Sequence, residues 1–134
     1  MKIAIFGGTF DPPHNEHRRI CEQVLSELKP DRFLVMPAKI PPHKRAEGVS
    51  RAQDRAEMAR LAFSDLPGIE ISDFERRQKG PSYTCRTLQH FRRMYPEDEL
   101  YFVIGSDSLR DFFSWRSPKK IAELATIVVV RRRG

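Results

Sequence analysis

Residues 7–17 read Gly-Gly-Thr-Phe-Asp-Pro-Pro-His-Asn-Glu-His, and they concentrate residue types that suit phosphate chemistry. Gly7 and Gly8 let backbone approach a ligand more closely than any side chain would allow. His14 and His17 are three apart, so on a helix they are neighbours on one face. Two imidazoles there can donate hydrogen bonds to phosphate oxygens as charge builds up in a transition state. The start of the same helix adds free N–H groups and the positive end of its dipole, and Pro13 suits its first turn. Taken alone, Gly-Gly after a strand is more often just a turn. The histidines as a metal pair lack a third ligand nearby, and HNEH is not HExxH. Neither GxGxxG nor a Walker loop is present.

Two further places hold candidates. Lys44 follows the rigid lead-in Pro41-Pro42-His43, which aims a cation somewhere fixed; the plain alternative is a solvated lysine. Gly105 and Asp107 follow an apolar run, where a carboxylate commonly accepts ribose hydroxyls or simply caps a helix. Trp115 is the one tryptophan, equally readable as a ligand contact or a core aromatic. Cys21 and Cys85 form no CxxC pair and read as free thiols, so no metal site of protein ligands is expected.

The elements that must position these residues alternate along the chain. Strands are expected at Lys2–Phe6, Arg32–Met36, Ile69–Ser72, Leu100–Ile104 and Thr126–Val130. Helices are expected over His14–Leu28, over Arg51–Ser64 with Met58, Leu61 and Ala62 inward, from Ser82 or Tyr83 to Met94 with Leu88 and Phe91 buried, and over Pro118–Leu124. Residues between the third strand and Gly80-Pro81 read as a charged loop. Such an order argues for an α/β, Rossmann-like, doubly wound parallel sheet in a single domain over residues 1–134. Right-handed crossovers make 3-2-1-4-5 the leading strand order. The chain then reverses direction between strands 1 and 4, and ligands in such sheets sit at the carboxyl ends of those strands. Gly7-Gly8 and Gly105 fall there.

A net charge of +6 and a sequence pI near 9.7 attract polyanions. Nucleotides, nucleic acid and acidic membranes all fit that sign. No nucleic-acid motif accompanies it, and no apolar run approaches the ~18 residues of a membrane span. Neither partner is expected, and the protein reads as cytoplasmic. Dispersed arginine pairs read as solvated faces, although Arg131–Arg133 lie at the ligand edge. A homo-oligomer stays open.

Four motifs carry a resemblance. GGTFDPPHNEH resembles the GxFDPxHxGH signature of bacterial nicotinate mononucleotide adenylyltransferases, within the HxGH nucleotidyltransferase superfamily. Pro41-Pro42-His43-Lys44 resembles their PPHK loop, Gly80-Pro81-Ser82-Tyr83-Thr84 their GPSYT segment, and Gly105-Ser106-Asp107-Ser108-Leu109 with Trp115 their GxDSL…W stretch. Order and spacing agree over essentially the whole chain. The resemblance implies an enzyme that transfers AMP from ATP to nicotinate mononucleotide in NAD biosynthesis, with Mg2+ on the triphosphate. It implies His14 and His17 as catalytic residues holding the transferred phosphates, with Gly7, Gly8, Thr9, Phe10, Lys44, Gly105 and Asp107 around ATP. Tyr83 and Thr84 would contact the acceptor, and Trp115 would stack on its pyridine ring.

Two departures stand out. Glu16 occupies the glycine position of HxGH, and a carboxylate within ~4 Å of a phosphate charge would cost a few kcal/mol at moderate dielectric. At ~100° per residue Glu16 lies off the face the histidines share. The resemblance also implies a late ISSTxxR-type motif that helps hold ATP, and nothing in these 134 residues matches it. A degenerate or truncated mononucleotide-binding relative and an adenylyltransferase for another acceptor, such as phosphopantetheine, are the rival expectations.

Overall fold

The computed structural model describes residues 1–8, 10, 15–37, 52–77, 83–106 and 117–131. Five strands make one parallel sheet: β1 (Lys2–Gly8), β2 (Arg32–Pro37), β3 (Ile69–Ile71), β4 (Glu99–Gly105) and β5 (Thr126–Val130), in the order β3-β2-β1-β4-β5. The helices are α1 (Asn15–Glu27), α2 (Ala52–Phe63), α3 (Phe74–Arg77), α4 (Thr84–Met94) and α5 (Pro118–Leu124). The strand order is the expected one. β1 is central, with Phe6 opposite Val35 on one side and Val103 on the other.

Successive strand residues point to opposite faces, and here both faces are apolar, as a sheet covered on both sides requires. Ile3, Ile5, Leu34, Met36, Leu100, Phe102 and Ile104 form one core with Leu88 and Phe91 of α4 and Ile121 of α5. Their neighbours Ala4, Phe6, Phe33, Val35 and Val103 form the other, with Ile20, Cys21 and Val24 of α1 and Ala59 and Phe63 of α2. Helices that precede the chain's reversal cover one face and later ones the other. That arrangement puts the starts of α1 and α4 at the carboxyl edge of the sheet. The opposite edge is closed by Asp98, which accepts from the Met1 ammonium at 2.8 Å.

Two sequence expectations are corrected. The inward face of α2 is Arg55, Ala56, Ala59 and Phe63, while Leu61 is 63% exposed; bulky Phe63 sets the orientation, and residues four, seven and eight before it follow. The charged stretch after β3 contains the short helix α3, whose Phe74 packs on the α4 side of the sheet. A four-residue helix has too few positions to show a period.

Candidate active site

Gly7 and Gly8 end β1, and Gly105 ends the adjacent β4, so the switch point carries the expected residues. The two glycines of β1 differ in what surrounds them. A Cβ on Gly7 would meet only ordinary contacts, the nearest being the Phe102 ring at 3.7 Å. A Cβ on Gly8 would meet the Phe10 ring at 3.0 and 3.1 Å. Phe10 therefore fills the space that Gly8 leaves. Its backbone is left-handed, at φ 52°, which costs a bulky residue of order 1–3 kcal/mol. The cost is met by burial: the ring is 1% exposed and packs edge-on against Phe6 at 5.5 Å and Phe63 at 6.1 Å.

His17, in the first turn of α1, rests on the same plug, with its ring 4.9 Å from that of Phe10. Its orientation is thus set from beneath by an aromatic edge. Cys21, one turn further on, is buried, and burial pushes its thiol up to about 12; it is a core residue.

On the other face of the sheet, Tyr83 is the N-cap of α4 with extended backbone and no capping side-chain hydrogen bond, and Thr84 opens the helix. The Tyr83 carbonyl accepts from the amides of Arg86 at 3.1 Å and Thr87 at 3.2 Å. Beneath this turn the Thr87 hydroxyl donates to Glu75 of α3 at 2.7 Å. Both residues are buried.

Glu16 is turned along its own helix. Arg19 reaches both its carboxylate oxygens, with Nη2–Oε2 at 3.2 Å, and also donates to Gln23 Oε1 at 3.1 Å and to the Arg131 carbonyl just past β5. The guanidinium thus opposes the charge that stands in place of the motif glycine, and ties the first turn of α1 to the end of β5.

The family model described as cytidylyltransferase-like matches residues 5–133, which takes in the end of β1 and all of β2 to β5. The chain belongs to the cytidylyltransferase-like family. Within it, the chain is 47% identical over all 134 residues to a Geotalea daltonii protein named "probable nicotinate-nucleotide adenylyltransferase", and covers 62% of that relative. It therefore spans less than two thirds of the relative's length. A provisionally assigned nicotinate-nucleotide adenylyltransferase from Vibrio parahaemolyticus superposes with a TM-score of 0.82 at 25% identity, covering 99% of this chain and 75% of that one. A Plasmodium falciparum nicotinic acid mononucleotide adenylyltransferase complexed with NaAD superposes at 0.83, with 22% identity, 98% of this chain and 64% of that one; at that identity the likeness concerns the fold.

Of the residues expected at this cytidylyltransferase-like site, Gly7, Gly8, Phe10, His17, Gly105, Tyr83 and Thr84 lie at or beside the carboxyl edge of the sheet. Thr9, His14, Lys44, Asp107 and Trp115 lie outside the described residues. Glu75 was not singled out from the sequence, because a glutamate followed by two arginines reads as a solvated run. Among the described residues no group of three His, Cys, Asp or Glu could hold a metal ion, and no helix is long and apolar enough to cross a membrane.

Proposed function

We propose that the chain is the single-domain core of an adenylyltransferase that moves AMP from ATP onto nicotinate mononucleotide, giving nicotinate adenine dinucleotide and pyrophosphate in NAD biosynthesis. The observation that carries this reading is the 47% identity to a relative of that name, sustained over all 134 residues. The NaAD complex of the Plasmodium structural neighbour is the product such a transfer would leave.

In the proposed reaction a 5′-phosphate oxygen of the mononucleotide attacks the α-phosphorus of ATP. The bond from that phosphorus to the bridging oxygen breaks, and pyrophosphate leaves with the electron pair. No covalent enzyme intermediate is required, so the protein acts by positioning and by stabilising charge. His17, seated on Phe10, and His14 before it hold the phosphates in transfer. Gly7, Gly8, Thr9 and Phe10 present backbone to ATP, Lys44 adds a cation, and Gly105 with Asp107 takes the ribose side. Tyr83, Thr84 and Trp115 hold the acceptor. The triphosphate arrives as its Mg2+ complex. Magnesium takes most of its ligands from phosphate and water.

The test is pyrophosphate release from Mg-ATP with nicotinate mononucleotide, nicotinamide mononucleotide and phosphopantetheine offered separately. Release with the nicotinate acceptor above the other two is expected. Preference for phosphopantetheine would replace the acceptor. Mononucleotide binding without release, restored neither by more Mg2+ nor by Glu16→Gly, would establish the non-catalytic reading that Glu16 itself favours.

A further inference from the structure

We infer that Glu75 and Thr87 are positioning residues for the acceptor end of the site, acting through the first turn of α4. The inference rests on the adenylyltransfer reading, which places the acceptor against Tyr83 and Thr84.

Glu75 is 7% exposed and Thr87 3%, in a region otherwise packed with Phe74, Leu88 and Phe91. A carboxyl group in such surroundings is costly unless it is hydrogen-bonded. The Thr87 hydroxyl donates one such bond at 2.7 Å. The hydroxyl has one proton and two acceptors in reach. The second is the carbonyl of Tyr83, four residues back, at 3.4 Å. The shorter contact takes the proton, so Glu75 draws the Thr87 hydroxyl away from the backbone of its own helix. Left to itself, a threonine at this spacing would bond that carbonyl, which tends to bend a helix.

The consequence falls on Tyr83. Its carbonyl is the first acceptor of α4, satisfied by the amides of Arg86 and Thr87, and its side chain does not cap the helix. The direction in which Tyr83 and Thr84 leave the helix therefore depends on how this turn sits. Contacts between α3 and α4 that hold it include the Glu75–Thr87 bond, the stack of Phe74 on His90 with ring centres 4.2 Å apart, and the edge-on contact of Phe74 with Phe91 at 5.6 Å. The stack can slide and is set one helical turn further on. The hydrogen bond is directional and lies beside the turn that carries the contact residues. Apolar packing places α3 on α4, and the Glu75 bond sets the register.

Thr87→Val keeps the shape and removes the hydroxyl; Thr87→Ser keeps the hydroxyl; Glu75→Gln keeps an acceptor but removes the charge. Calorimetric affinities for nicotinate mononucleotide and for Mg-ATP, each alone, test the idea in the full 134-residue chain. Misplacing a positioning group can cost up to about a hundredfold. A loss of mononucleotide affinity of roughly tenfold or more is expected for Thr87→Val, a smaller one for Glu75→Gln, and near-normal affinity for Thr87→Ser. Mg-ATP affinity should hold within about twofold throughout. Amide exchange at Arg86 and Thr87, which bond the Tyr83 carbonyl, should quicken in Thr87→Val only. Equal loss of both ligands, unchanged mononucleotide affinity in a folded Thr87→Val protein, or a Thr87→Ser protein as weak as Thr87→Val would each overturn the inference. If the unsubstituted chain binds no mononucleotide, the adenylyltransfer reading fails first and the acceptor role of Glu75 falls with it.

Discussion

Helices α1 and α4 both begin at the carboxyl edge of the sheet, on opposite faces, and they are seated by different kinds of force. The start of α1 rests on an aromatic plug, Phe10, lodged over Gly8 and against Phe6, Phe63 and His17. The start of α4 rests on a buried carboxylate–hydroxyl bond between Glu75 and Thr87. Apolar packing is strong and non-directional, so it fixes how deep α1 sits. A hydrogen bond is weaker and directional, so it fixes how α4 is turned. The α1 side, proposed to hold transferring phosphates, needs a firm floor; the α4 side, proposed to choose the acceptor, needs an orientation.

The contrast breaks most readily at the plug. Phe10→Ala should destabilise the fold by about 3–5 kcal/mol, the usual range for a buried aromatic, less whatever the strained φ returns. Urea unfolding measures it, and a loss under about 1 kcal/mol would mean the ring is not the seat of α1. Next in size is Gly8→Ala, whose methyl would press on the Phe10 ring. Overpacking of this kind costs about 1–3 kcal/mol. Gly7→Ala, with ordinary contacts only, should be neutral or gain up to about 1 kcal/mol from a stiffer unfolded chain. Equal effects at the two glycines would erase the distinction between them.

The smallest effect belongs to the α3–α4 stack. Burial, and then the charge of Arg93, hold the His90 imidazole below its ordinary value of 6.5. The folded protein thus favours the neutral ring more than the unfolded chain does. The stabilisation is full above pH 6.5 and is lost as pH falls from there through the depressed folded value. The urea midpoint should drop between pH 7.5 and 5.5, and His90→Asn should reduce that drop. An unchanged pH profile in His90→Asn would remove His90 from the account.

Much of this was legible in the residues. The runs Lys2–Phe6, Leu100–Ile104 and Thr126–Val130 announce themselves as strands, and right-handed crossovers leave few orders for five of them. Gly7-Gly8, His17 and Gly105 were locatable because the switch point of such a sheet is predictable. Phe10 as a plug was not, since nothing in local preference puts a phenylalanine at positive φ; only tertiary packing does. The α2 face was misjudged at Leu61, which looks as apolar as Ala56, Ala59 and Phe63 but is exposed, whereas Ala62 does pack against their core; the choice depends on which residues can reach the sheet. Glu75 was hidden for the opposite reason, because its burial depends on a threonine twelve residues away.

The position of β1 has a consequence for how the chain is made. Its partner on one side, β2, follows within thirty-odd residues, but its partner on the other, β4, begins only at Glu99. At about 5–20 residues per second, a ribosome would carry the β1–β2 pair for several seconds with the inner edge of β1 open. An open strand edge invites pairing with other chains. The growing half-sheet is a natural client for chaperones, and expression of a fragment ending before β4 should yield aggregate.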